Sequence, residues 1–124
     1  MLIKEIPASC RNLVISAIRK GFCRSKTYQE AILSARVEQP KILKSGKTSL
    51  IPAIFYGCKA CNSLFKRKEV HVDHISPVVP IGVKTIDMKL IEYIKRVYCH
   101  ISNLQVLCKP CHKSKSSIEN KNRK

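Results

Sequence analysis

A small α+β domain stapled by zinc is what this 124-residue sequence predicts, on three observations. Two Cys-x-x-Cys pairs, Cys58-Lys-Ala-Cys61 and Cys108-Lys-Pro-Cys111, have the spacing of metal knuckles. Helical periodicities near residues 9–20, 26–37 and 85–98 alternate with two short strand-like runs, EVHVDHI and NLQVL. A chain of this length buries a modest core, half of which would not be stable by itself, so an additional clasp is expected.

The elements follow in order. Ser9 can cap a first helix whose apolar face is Leu13, Val14, Ala17 and Ile18, with Gly21 as its stop. A second helix is expected from Ser25 or Lys26 to about Val37, with Tyr28, Ala31, Ile32 and Ala35 inward and Pro40 beyond its end. KILKSGKTSLIPAIFYGC predicts a hairpin around Ser45-Gly46 that runs into the first knuckle. The strand EVHVDHI comes next, then the loop SPVVPIG, whose two prolines bar regular structure. Thr85 can cap a third helix to about Tyr98, with Ile86, Leu90, Ile91, Ile94 and Val97 as a core stripe. The strand NLQVL, the second knuckle and a basic helix from about Pro110 to Asn120 complete the fold. The divisions expected are a helical and hairpin segment over 1–54, the principal domain over 55–120 and a basic tail over 121–124.

Lys and Arg number 24 against 8 Asp and Glu, a net charge of +16, which points to a polyanionic partner, nucleic acid before an anionic membrane. Charge of this kind does not specify an activity. No apolar run approaches the roughly 20 residues of a membrane span, and MLIKEIPASCRN is too polar for a signal peptide, so a soluble cytoplasmic protein is expected. Seven cysteines, an odd number, argue in a reducing compartment for a metal rather than a disulfide framework.

Cys58, Cys61, Cys108 and Cys111 complete a closed tetrahedral set with no open position, hence a structural zinc site whose binding energy helps the domain to fold. Lys59 and Lys109 lie within the knuckles, where their charge offsets that of four thiolates. Cys10, Cys23 and Cys99 read as small, partly buried thiols. Joining 58–61 to 108–111 forces HVDHI to lie beside NLQVL and brings His112 to the mouth of the same small sheet. Asp73, His74, Asn103 and His112 thereby converge, with Asp73 and His112 expected within reach of one shared atom.

The pattern CxxC…VDHI.PV…NLQVLCxxCHxxKS resembles the HNH endonuclease family with its ββα-metal fold, in particular small phage-borne members. The likeness covers about residues 55–120; FCRSKTYQEAILSARVEQP resembles their N-terminal segment more weakly. The resemblance implies that His74 is the general base, and an imidazole of ordinary pKa, about 6.5, is neutral in roughly three quarters of molecules at pH 7. It implies that Asp73 and His112 hold a catalytic Mg²⁺ or Mn²⁺ and that Asn103 orients His74 through the loop backbone. Asp73 stands where the family often has its first histidine, a variant that favours a hard cation. Because adjacent strand residues face opposite ways, Asp73 and His74 can serve one phosphate only if the strand bends at its end. His71 and His100 lie outside the motif; His71 reads as a surface or partner-contacting residue and His100 as a loop histidine.

The last helix is expected to turn its positive end to phosphate, with Lys113, Lys115 and Ser116 on it, and Lys66, Arg67 and Lys68 are further candidates for DNA contacts. The function that follows is metal-dependent hydrolysis of DNA, double-stranded by preference, to 5′-phosphate and 3′-hydroxyl ends. The alternative is a non-catalytic zinc-stapled DNA-binding module accessory to packaging or recombination.

Overall fold

A computed structural model describes residues 1–123 of the chain. The element order is α1 (Ala8–Cys23), α2 (Lys26–Ser34), β1 (Arg36–Gln39), β2 (Ala53–Gly57), β3 (Leu64–Phe65), β4 (Val70–His74), α3 (Leu90–Val97), β5 (Leu104–Cys108) and α4 (Lys109–Arg123), an α+β arrangement. Two antiparallel sheets, β1-β2-β3 and β4-β5, carry the strands. The register of the second pairs Val70 with Cys108, Asp73 with Gln105 and His74 with Leu104, the neighbourhood expected of HVDHI and NLQVL. Helix α4 follows Cys108 without a linker and packs across this pair. Among the described residues no helix is long and apolar enough to cross a membrane.

The main core is shared by both halves of the chain. Ile3, Phe22 and Ala31 pack with Val78, Met88, Tyr93, Val97 and Leu104, while Ile32 joins Val70 and Val106. The boundary drawn at residue 54 falls inside β2, and α4 continues past residue 120 to Arg123.

Tertiary pairing redraws several elements. Ser25 caps α2 by accepting from the Tyr28 N–H at 3.2 Å, as its sequence suggests, but the helix stops at Ser34. Residues 36–39 leave the helix to form an edge strand whose Val37 lies opposite Phe55, a long-range gain that helical spacing does not register. The hairpin about Gly46 forms, with Gly46 at φ +84° and Ile42 bridged to Thr48. Helix α3 begins at Leu90 rather than Thr85, because the N-terminal segment captures the backbone before it. The Ile3 N–H donates to the Met88 carbonyl and the Leu90 N–H to the Met1 carbonyl, each at 2.9 Å. Ile86 falls outside the shortened helix and is exposed, as is Ile91 within it, and the buried members of α3 are Tyr93 and Val97.

Helix α1 departs in the same way. It starts after Pro7 without a Ser9 side-chain cap, presents Ile15, Ile18 and Phe22 to the core, and leaves Leu13 71% exposed. Gly21 does not end it. The Tyr98 hydroxyl donates to the Ile18 carbonyl at 3.0 Å, and a Cβ on Gly21 would lie 2.5 Å from that oxygen. The glycine gives Tyr98 room to reach the helix. Gly21→Ala is therefore expected to change stability little in the wild-type background, where about 1 kcal/mol of helix propensity is offset by loss of the tyrosine bond. With Tyr98→Phe already present, the same change is expected to stabilise by about 1 kcal/mol in urea unfolding; equal effects in the two backgrounds would contradict the close-approach role.

Candidate functional site

Four thiols meet where β2, β5 and α4 converge. Cys58 follows β2, Cys108 closes β5 and Cys111 lies in the first turn of α4. Their sulfurs all lie within 4.8 Å of one another, and Cys61 Sγ is 4.0 Å from Cys108 Sγ. Tetrahedral zinc with bonds of about 2.3 Å separates its sulfurs by roughly 3.8 Å, so the set fits a structural metal such as zinc. It does not fit a disulfide, and all seven cysteines are free. The first knuckle is shaped by backbone: the Asn62 N–H donates to the Cys58 carbonyl and the Lys59 N–H to the Val106 carbonyl, while Asn62 takes φ 60°.

The thiols do not ionise alike. Burial raises Cys58, but backbone N–H groups of residues 61, 108 and 60 outweigh it and bring the thiol down to about 6. Cys111 is pushed up to about 12, first by its hydrogen bond with Cys108 and then by burial. Burial likewise raises Cys108. Metal binding at such a site must displace the protons that remain on these thiols.

The second cluster lines a cleft of about 480 Å³ between α1, β4, the loop after it and α4. Asp73, His74, His112, Lys115 and Ser116 all face it. Asp73 is buried, and its two oxygens are divided between partners. Oδ2 accepts from Gln105 Nε2 at 3.0 Å and from Lys115 Nζ at 3.1 Å. Oδ1 stands 3.6 Å from His112 Nε2, a separation that one ion with bonds of about 2.1 Å could span. These two residues are a pair; among the described residues, three or more metal-ligating side chains meet only at the four cysteines. The carboxylates of the cleft already share one cation, the Lys115 ammonium. Lys115 Nζ touches Asp73, the His74 carbonyl at 3.0 Å and Glu119 Oε1. Burial opposes its charge, but the hydrogen bonds to Glu119 and Asp73 prevail and raise its pKa.

His74, one residue on, ends β4 and lines the same cleft. Its ring packs on Phe22 with centroids 5.1 Å apart, and Nε2 lies 2.8 Å from the Val97 carbonyl. Since a carbonyl only accepts, Nε2 carries the proton and Nδ1 keeps a free lone pair in the neutral ring. Burial is the main cause of a pKa below the usual histidine value; Arg19 and Lys115 add to the lowering, while the Val97 bond and Asp73 oppose it. Asn103 Oδ1 accepts the Ser76 N–H at 2.9 Å, and the Asn103 carbonyl accepts the Ile75 N–H at 2.8 Å. The amide thus holds the loop directly after His74, where β4 ends.

The candidate DNA contacts are scattered. Lys66, Arg67 and Lys68 are exposed in a turn before β4 and do not line the cleft; Lys113 is exposed on α4. Lys115 is an interior cation rather than an outward clamp, because two carboxylates and a carbonyl draw it inward. His71 is exposed, its ring centroid 5.4 Å from that of His112, and partial burial followed by the charges of His112, Lys109 and Arg67 lowers its pKa. His100 accepts the Ser102 N–H in a turn away from the cleft. The sequence reading missed Arg19, Gln105, Glu119 and Arg123. Two of these left a trace: Gln105 is the polar break in NLQVL, and Glu119 stands four residues after Lys115.

Cys108→Ser is expected to lose both bound zinc and cooperative unfolding, measured by metal content and a thermal melt; an unchanged melting temperature would contradict the structural site. His74, with its pKa lowered, binds its proton less readily when folded, so it stays neutral at a pH where the unfolded ring, near 6.5, is already half protonated. Its NMR titration midpoint in the zinc-loaded protein is expected below 6.5, and a midpoint above that value is the contrary result.

Comparison with protein-family models, with curated proteins and with solved structures finds no match to this chain.

Proposed function

We propose that this chain is a metal-dependent endonuclease of the HNH class, with β4, β5 and α4 as its ββα-metal core, acting on duplex DNA. One juxtaposition carries the reading: in a single cleft, an imidazole with a free Nδ1 lies next in sequence to a buried carboxylate whose Oδ1 is 3.6 Å from a second imidazole. A structural histidine needs no such neighbours, and a pure DNA-binding module has no use for all three together.

The roles follow from the contacts. The Val97 carbonyl fixes the His74 ring, so that Nδ1 can take a proton from the attacking water. Asn103 holds the turn at Ser76 and with it the end of β4. Gln105 and Lys115 hold Asp73 Oδ2, leaving Oδ1 turned toward His112. Asp73 and His112 would bind Mg²⁺ or Mn²⁺, which supplies charge stabilisation at the phosphate and at the departing 3′ oxygen. The products would be 5′-phosphate and 3′-hydroxyl ends. The net charge of +16 supplies general attraction to the polyanion, salt-sensitive and indifferent to sequence.

A plasmid-nicking assay with Mg²⁺ or Mn²⁺ tests the reading. The wild type is expected to cut, His74→Ala to lose about 100-fold or more in rate as a missing general base does, and Asp73→Ala and His112→Ala to lose cutting while retaining zinc. Absence of cutting by the wild type over a broad metal screen would leave the non-catalytic DNA-binding module in its place.

A further inference from the structure

Helix α1 lies outside the segment whose pattern suggests a nuclease, yet it sends one cation to the cleft. Arg19 lines the same space as Asp73, His74, His112 and Lys115. Its Nε donates to the Tyr93 hydroxyl at 2.9 Å, and its guanidinium carbon lies 5.8 Å from the centroid of the Tyr93 ring. Tyr93 is only 1% exposed and sits in the main core, so this anchor has little freedom to move. A cation–π contact and one hydrogen bond therefore hold the stem of an otherwise exposed arginine.

The other end of the guanidinium is uncommitted. Among the described residues, neither Nη atom donates to a protein acceptor, and no carboxylate forms an ion pair with Arg19. Asp73 and Glu119, the acidic residues of the cleft, are already engaged by Lys115. A planar fork with paired free donors suits two oxygens of one phosphate, and anchoring before the ligand arrives reduces the ordering cost on binding.

We propose that Arg19 is a phosphodiester clamp, contributed by α1, that binds a backbone phosphate of duplex DNA in the His74 cleft. The inference rests on the nuclease reading for the identity of the polyanion, while the clamp itself can be tested without cleavage. Tyr93 is its positioning residue. Arg123, also in the cleft, is less suited to the task because its guanidinium already donates to the Val79 carbonyl at 2.7 Å.

The test is binding of a fluorescent 20-base-pair duplex to zinc-loaded protein over a salt series with no added Mg²⁺ or Mn²⁺, followed by single-turnover cleavage once either ion is supplied. Arg19→Ala is expected to weaken binding and to reduce the slope of log affinity against log salt by about 0.9, the contribution of one phosphate contact. Tyr93→Phe keeps the charge and releases the tether, so it is expected to retain the wild-type slope while slowing cleavage. Arg19→Lys should restore the slope but not the full rate, since a point charge lacks the fork. Arg19→Ala paired with Tyr93→Phe, which leaves no buried hydroxyl without its partner, provides a folded control with the same expected loss of slope. An unchanged slope in both variants that lack Arg19 would overturn the clamp even if the wild type cuts DNA. Loss of slope in those variants, beside a wild type that never cuts, would uphold the clamp and reject the nuclease reading.

Discussion

Four sulfurs drawn from two distant stretches of chain must meet within 4.8 Å, and the remaining geometry depends on that meeting. Between the knuckles the chain makes β3, β4, a proline-containing loop and α3 before returning as β5. Closing so long a loop costs entropy that a two-stranded sheet cannot offset by itself. Four thiols able to hold a metal provide the missing closure. Since Cys108 is the last residue of β5 and Cys111 lies in the first turn of α4, the same closure sets the angle of the helix that carries His112 and Lys115.

What could be read in advance was what arises from local spacing and from this closure. The α+β class, the cysteine quartet and the pairing of HVDHI with NLQVL needed only motif separation and strand period. The Ser25 cap and the Gly46 turn are local chemistry, and both are where the residues suggest. Features decided by distant partners were hidden. Val37 joins a strand because Phe55 lies opposite, and α3 starts late because residues 1–3 bind its approach. Gly21 is a helix stop by ordinary reckoning, and only the position of Tyr98 shows it to be a point of close contact.

The cleft shows the same division. Asp73, His74 and His112 lie near the knuckles in sequence or on their strands, and the sheet gathers them, while Asn103 stays outside the cleft and holds the loop at Ser76. Gln105 enters through strand register opposite Asp73. Arg19 and Phe22 come from a helix outside the cysteine and VDHI motifs, and Phe22 nevertheless packs directly on the His74 ring. The first helix is therefore a wall of the cleft, sharing one core with the strands, and not an appendage to a self-sufficient centre.

Lys115 gives the cleft a resident counter-ion. Its ammonium pairs with both Asp73 and Glu119, so one carboxylate can be buried and the other half-buried with their charge balanced from within the fold. Removing that one amine would leave two carboxylates without their shared counter-charge.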